Sequence, residues 1–403
     1  MTRADFFKRF KHGINVSNAL ECYEPFDRAH HEDTKMTVER NVVDPDGNPH
    51  DFKIHIDYWD NTSKDFYNWE EIWHNPMLTQ KFFDFLHADG YDHVRLTVNI
   101  NRHFLNNKTQ EIDPLWISHI RDIVTMINKA GLPVILTSQN DFVDLEVSSF
   151  SFQSFIDENY VGKDNTERAL KIWEILANSL NDFSNDDLMF DLISEMCFYD
   201  ITWSDNDKAC KILKGLFKRM VDTVRSTGGN NTDRLLIISG HHAEFDKSLP
   251  FMESFDKDFD ENCILGFIFY TPWEFTIVDK RMEWGSDEDL EEFNKAFDNM
   301  KKAYENGIPF FIHEYAAGVA NDNNSKKNLF DTCNWIYLAT KRLSEIGIPM
   351  TYWDPGSLIN RDTLEYKIPF FRSMINAALG GEDFDIQKAI DENPFDLREW
   401  WEK

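Results

Sequence analysis

Two kinds of apolar pattern alternate along the chain. Short runs dominated by apolar residues lie at Gly13 to Val16, Val94 to Val98, Val134 to Thr137, Met189 to Ile193, Leu235 to Ser239, Ile264 to Tyr270, Phe310 to His313 and Met350 to Trp353. Runs of this kind suit parallel strands covered on both faces. Between them apolar residues recur at helical spacing, in the stripes Leu78, Phe82, Leu86, then Ile120, Ile123, Val124, Ile127, then Leu290, Phe293, Phe297, Met300. Each stripe predicts a helix with one buried face.

The junctions repeat as well. Gly131-Leu132-Pro133, Gly307-Ile308-Pro309 and Gly347-Ile348-Pro349 each read as a helix end followed by a strand start, with Gly as a left-handed cap and Pro barring continuation. Asp89-Gly90 closes another helix in the same way, without the proline. Asn75-Pro76 and Asp113-Pro114 offer N-caps with proline in the first turn, and Ser286 opens an acidic first turn. Eight strands alternating with helices predict an α/β fold closed as a (β/α)8 TIM barrel. A doubly wound sheet usually stops nearer six strands and carries a GxGxxG turn, which is missing here.

The chain, 1–403, therefore reads as one barrel domain with two additions. Met36 to Tyr58 alternates apolar and polar residues on both sides of Asp44-Pro45-Asp46-Gly47, which predicts a β-hairpin (36–58) inserted after the first strand. The acidic tail 382–403, ending in Trp400-Trp401, is expected to pack on the barrel or on a neighbouring subunit.

Composition narrows the partners. A formal net charge of -29 argues against nucleic acid and anionic membranes and favours a neutral ligand. The 34 Phe and 12 Trp are enough to fill a core and still leave rings for a binding surface. MTRADFFKRFKHG lacks the apolar run of a signal peptide, and the five cysteines (Cys22, Cys197, Cys210, Cys263, Cys333) show no CxxC spacing. Reduced thiols and a cytoplasmic location are the expectation. No pair of histidines has the spacing of a helical metal site with a third ligand nearby, so neither a metal nor another cofactor is expected.

In a barrel of this kind, residues at the carboxyl ends of the strands converge on one mouth. The polar groups there are Arg95, Ser194-Glu195, His241-His242, Tyr270, His313-Glu314 and Trp353-Asp354. Glu195 and Glu314 follow opposite strands, and two carboxylates flanking a sugar linkage suffice for glycoside hydrolysis. Tyr199, Trp203, Trp273, Trp284 and Tyr315 lie near the same ends. Such rings stack on the apolar faces of sugars, and Trp273, three residues beyond Tyr270, is the foremost of them.

At these residues the chain resembles glycoside hydrolase family 5, the cellulase and mannanase group, through most of the barrel. GINVSNALEC, WHNP with the following GYDHVRLTV, LISEM, FYTPWEF, PFFIHEY and YWDPG stand in the family's order. The resemblance implies Glu195 as acid/base, Glu314 as nucleophile and retention of anomeric configuration, with a carboxylate gap of about 5 to 5.5 Å. It implies that Arg95 and Tyr270 align Glu314 and lower its pKa, and that Trp353 forms a platform beneath the sugar. Three positions depart from the family pattern. Ser194 replaces the Asn that bonds the sugar 2-hydroxyl, Gln139 replaces a His, and Ile268 replaces another His. Gln139 retains the capacity to bond a hydroxyl. His241 and His242 either supply lost polar contacts or serve as hydrogen-bonded scaffolding.

The function expected is a retaining β-glycosidase acting on a small neutral oligosaccharide or β-glycoside, first as a β-glucosidase or exo-glucanase. Hydrolysis of β-mannosides or endo-action on β-glucan is the second choice within the class. A sugar-binding pseudoenzyme is the alternative that the three substitutions raise.

Overall fold

The computed structural model of the chain describes residues 1–22, 35–43, 49–57, 70, 75–100, 103–106, 111–139, 163–194, 206–277, 281–318 and 328–394. Eight parallel strands close into a barrel: β1 (His12–Val16), β2 (Val94–Val98), β3 (Val134–Ser138), β4 (Leu188–Asp191), β5 (Leu236–Glu244), β6 (Cys263–Phe269), β7 (Phe310–Tyr315) and β8 (Met350–Asp354). Neighbours around the ring are neighbours in sequence, and β1 closes it by pairing with both β8 and β2.

The period of two along each strand divides its side chains between two environments. On β3, Val134 and Leu136 belong to the outer apolar layer shared with the helices, whereas Ile135 belongs to an inner cluster with Met189, Leu235, Ile237, Ile264 and Phe311. Helix Pro114–Lys129 buries Trp116, Ile120, Ile123, Val124 and Ile127 in the outer layer, as its stripe predicts, and Asp113 caps it. Helix Asp287–Glu305 buries Phe293, Phe297 and Met300 behind a capping box formed by Ser286 and Asp289. The Gly-x-Pro joins also form as expected, with φ of 91° at Gly131, 84° at Gly307 and 87° at Gly347.

Three local expectations need correction. Asn75 does not cap a helix: the helix begins later, at Gln80–Ala88, with Thr79 as its cap. Asn75 instead donates its amide to the carbonyls of Asn18 and Pro355, tying the loops after β1 and β8 together. β5 continues past Ser239 to Glu244, because Ser239 opposes Gly266 while Glu244 already opposes Ile268, so residues 240–243 bulge from the ladder. The third concerns the barrel floor, which is sealed by a short helix, Arg3–Arg9, that the apolar pattern did not reveal. Phe6 and Phe10 enter the inner cluster from below, and the Phe6 ring lies 5.1 Å from that of Phe311.

Lys35–Val43 and Pro49–Asp57 pair antiparallel, with Met36 opposite Ile56, while the intervening Asp44-Pro45-Asp46-Gly47 lies outside the described residues. In the C-terminal segment, helix Ile386–Glu392 buries Ile386 and Ala389, and Tyr337 donates to the Glu382 carbonyl. Trp400 and Trp401 lie outside the described residues. No described helix is long and apolar enough to cross a membrane. The four described cysteines, Cys22, Cys210, Cys263 and Cys333, are buried.

The floor and the mouth occupy opposite ends of the strands, so damage to one should spare the chemistry at the other. Phe6→Ala should lower unfolding stability by about 3–5 kcal/mol, as for other buried Phe truncations, in chemical denaturation. Turnover by the remaining folded protein should stay close to that of the parent.

Candidate active site

Above the apolar floor the inward positions turn polar, and they meet at one side chain. Arg95, on β2, is completely buried and uses its planar fork on four other strands and the segment after β4. Nε donates to Asp191 Oδ2 at 2.8 Å, and Nη2 lies 2.7 Å from the same oxygen. Nη1 donates to Asn15 Oδ1 at 2.8 Å and reaches Glu314 Oε2 at 3.4 Å. Nη2 also donates to Ser194 Oγ at 2.8 Å and approaches Thr137 Oγ1 at 3.5 Å. Asn15 returns its amide to the His313 carbonyl at 2.9 Å, which joins β1 to β7.

Glu314 is held from two sides. Tyr270, just beyond β6, donates its hydroxyl to Oε1 at 2.8 Å, and Arg95 faces Oε2. Both partners pull its pKa down, as expected, but the net shift is upward. Burial pushes the Glu314 carboxyl up to about 7, against the pull of Arg95 and Tyr270, and the charge on Asp191 adds to the rise. One guanidinium serves two carboxylates, and the other one sits closer.

Asp191 was not singled out from the sequence, where it looks like an interruption in the apolar run Met189 to Ile193. It is fully buried. Burial pushes its pKa up, but Arg95 and His313 outweigh that and hold it below the ordinary carboxylate value. His313 Nδ1 lies 3.0 Å from Asp191 Oδ2, and burial together with Arg95 keeps the imidazole neutral, so Nδ1 carries the proton. The ring has space because residue 266 on β6 is glycine: a Cβ there would stand 2.6 Å from His313 Nδ1.

The remaining candidates divide. Ser194 is buried with its oxygen on Arg95, so it belongs to the hub. Gln139 follows β3, its backbone N–H bonded to the Val98 carbonyl. Trp353 is half-buried at the end of β8. Trp273 is 45% exposed and meets the Tyr270 ring edge-on at 5.9 Å. Ile268 is buried and lies directly opposite Glu314 in the ladder. His241 is buried with Nδ1 2.9 Å from Asn206 Oδ1, the scaffolding arrangement, and His242 packs on it at 4.4 Å. Residues 242 and 243 of the bulge have φ of 57° and 52°, a left-handed conformation that costs energy in residues with a Cβ. Burial drives the imidazoles of His241 and His242 down to about 4 and about 2, so both are neutral.

Two aromatic candidates leave the site. Trp284 is only 4% exposed and packs on Phe275 and Phe293. Tyr315 points outward from β7 to His12 and Thr340, because it follows the inward-facing end of the strand by one residue. Glu195, Tyr199 and Trp203 lie outside the described residues. Among the described residues no group of three His, Cys, Asp or Glu is placed to hold a metal ion. The arrangement can keep one carboxylate oriented at the mouth, beside exposed rings, in a setting that controls its charge.

A family model described as Cellulase (glycosyl hydrolase family 5) matches residues 48–357. Endoglucanase A of Ruminococcus albus is 28% identical over 300 residues, which cover 71% of this chain and 76% of that protein. Among solved structures, a Bacteroides ovatus GH5 xyloglucanase in complex with a heptasaccharide superposes with a TM-score of 0.71 at 20% identity, over 94% of this chain and 77% of that one. A tri-modular GH5 (subfamily 4) endo-β-1,4-glucanase from Bacillus licheniformis superposes with a TM-score of 0.68 at 20% identity, over 94% of this chain. This chain spans only 61% of the length of that enzyme. At such identities the structural likeness carries the barrel alone, and the family model carries the membership. The chain belongs to glycosyl hydrolase family 5, the cellulase family, whose members hydrolyse O-glycosyl bonds.

Proposed function

We propose that the protein is a retaining endo-β-glucanase in which Glu314 attacks the anomeric carbon and Glu195 protonates the leaving oxygen. The observation that carries this is the clamp on Glu314, with Tyr270 on one carboxylate oxygen and Arg95 on the other. The clamp fixes the direction of attack and supports the charged form when substrate arrives. A glycosyl-enzyme forms at Glu314, and Glu195 then takes a proton from the water that releases it. A purely sugar-binding protein has no use for a carboxylate held at both oxygens.

Endo action is favoured over the exo action expected first. The Ruminococcus albus and Bacillus licheniformis proteins are endoglucanases, and the two ring platforms, Trp353 and Trp273, suit a chain that continues past the cleavage point. Trp353 lies beneath the sugar being cleaved, and Trp273 stacks on a neighbouring unit. Ser194 accepts from Arg95 through its oxygen and keeps its own proton for a sugar hydroxyl, with Gln139 as a second partner. His241 orders the bulge and His242 forms part of the wall.

On a soluble β-1,4-glucan, viscosity should fall faster than reducing ends appear, and proton NMR should show the β-anomer as first product. A linear rise of monosaccharide at constant viscosity would restore the exo alternative. Binding without turnover across a panel of β-glucans and aryl β-glycosides would sink the enzyme reading. Glu314→Ala should lower kcat/KM on the order of 10⁴-fold, and azide should restore turnover with inverted product.

The site also sets a pH dependence. Glu314 must be ionised to attack and titrates at about 7 in the free protein, so kcat/KM should fall as pH drops through that value. Tyr270→Phe removes a donor to the charged form. The acidic limb should then move to higher pH by about one unit or more, as a pH series of kcat/KM will report.

A further inference from the structure

Asp191 and His313 have no part in the double displacement, yet they adjoin the group that governs it. Asp191 Oδ2 gathers Arg95 Nε at 2.8 Å, Arg95 Nη2 at 2.7 Å and His313 Nδ1 at 3.0 Å, while its other oxygen has no hydrogen-bond partner among the described residues. Glu314 receives the same guanidinium at 3.4 Å. Both carboxylates and the cation are buried, where charge is poorly screened and the nearer partner takes most of it.

We propose that the Asp191–His313 pair is a positioning device that competes with Glu314 for Arg95 and thereby sets the pH at which the nucleophile becomes charged. Geometry and chemistry give each member a distinct part. Asp191 draws the guanidinium toward β4 and lengthens its contact with Glu314. His313, neutral with Nδ1 protonated, supplies Asp191 with a donor that Arg95 would otherwise have to provide. Gly266 leaves the space that brings the imidazole to Asp191. The charged or titratable groups described around Glu314 are thus Arg95 from β2, Asp191 from β4, Tyr270 beyond β6 and His313 from β7, with Asn15 of β1 as the neutral partner of Arg95. Neither Asp191 nor His313 touches substrate in this scheme. The pair matters because a carboxylate that ionises too readily is a weaker nucleophile, whereas one that ionises too late is absent at working pH.

The proposal rests on Glu314 as nucleophile for its catalytic consequence, but its physical core is testable without substrate. The carboxyl of Glu314 can be titrated by carbon-13 NMR of Glu-labelled full-length protein, with Glu314→Gln used to assign the signal. Asp191→Asn keeps the shape and removes the competing charge, so the Glu314 midpoint should fall by about one unit or more. His313→Leu removes the donor to Asp191, which then leans harder on Arg95, so the midpoint should rise. Asp191→Glu should return the midpoint toward that of the parent. The acidic limb of kcat/KM should follow each shift. Opposite signs in the two variants cannot come from general loosening of the site, and either folded variant alone decides the matter. A midpoint that stays or rises in Asp191→Asn, or stays or falls in His313→Leu, overturns the proposal. Absence of β-glucan and aryl β-glycoside turnover in the parent protein, with the midpoints moving as stated, would overturn the glucanase assignment and leave the competition intact.

Discussion

A buried guanidinium shared between two carboxylates is the constraint on which this site depends. Arg95 reaches β1 through Asn15, β3 through Thr137, β4 through Asp191, the segment after β4 through Ser194 and β7 through Glu314. Taking so many polar groups out of water is costly unless every donor is used, and the planar fork of Arg achieves this where Lys would not. The same economy fixes relative positions at the mouth, because strands bonded to one rigid group cannot shift independently. It also leaves a charge imbalance, one cation facing two potential anions, and Glu314 bears it through a raised pKa.

The barrel tolerates this polar hub because its interior is layered. The lower positions, from Ile135, Met189, Ile237, Ile264 and Phe311, form an apolar plug sealed by Phe6 and Phe10 of the N-terminal helix. Water is thereby kept from the hub on the side away from substrate, which strengthens each electrostatic contact above it. The bulge at 240–243 and the glycine at 266 are places where the ladder yields to the site, and the register also shifts at His313 on β7. The first carries His241 and His242 out of register, and the second makes room for the His313 ring.

The departures from the family pattern acquire specific meaning in this setting. Ser194 is drawn to Arg95 and not only to the substrate side, so the change from Asn alters the hub as well as any sugar contact. Ile268, opposite Glu314 in the ladder, puts a buried apolar side chain where the family pattern has a polar one.

Much of the frame was legible in the sequence. Apolar runs with a bare period, helical stripes and Gly-x-Pro joins are local signals, and short-range sterics and burial suffice to turn them into strands, helices and their junctions. Glu314, Arg95, Tyr270 and Trp353 could be found because strand ends are recognisable and a barrel sends them all to one mouth. Asp191, Asn15 and the role of His313 were not, although a charged residue within the run Met189 to Ile193 was a signal: nothing charged is retained in a buried strand without a partner. Tyr315 and Trp284 were misplaced because the face of a strand end and the burial of a loop ring depend on neighbours distant in sequence. Asn75 looked like a helix cap for the same reason, since its actual partners are Asn18 and Pro355. The sequence by itself determined the barrel and the identity of the carboxylate at the end of β7. Only the tertiary structure decided how strongly that carboxylate holds its proton, because that depends on burial and on which charges, more than 90 positions away, are brought within a few ångströms of one guanidinium.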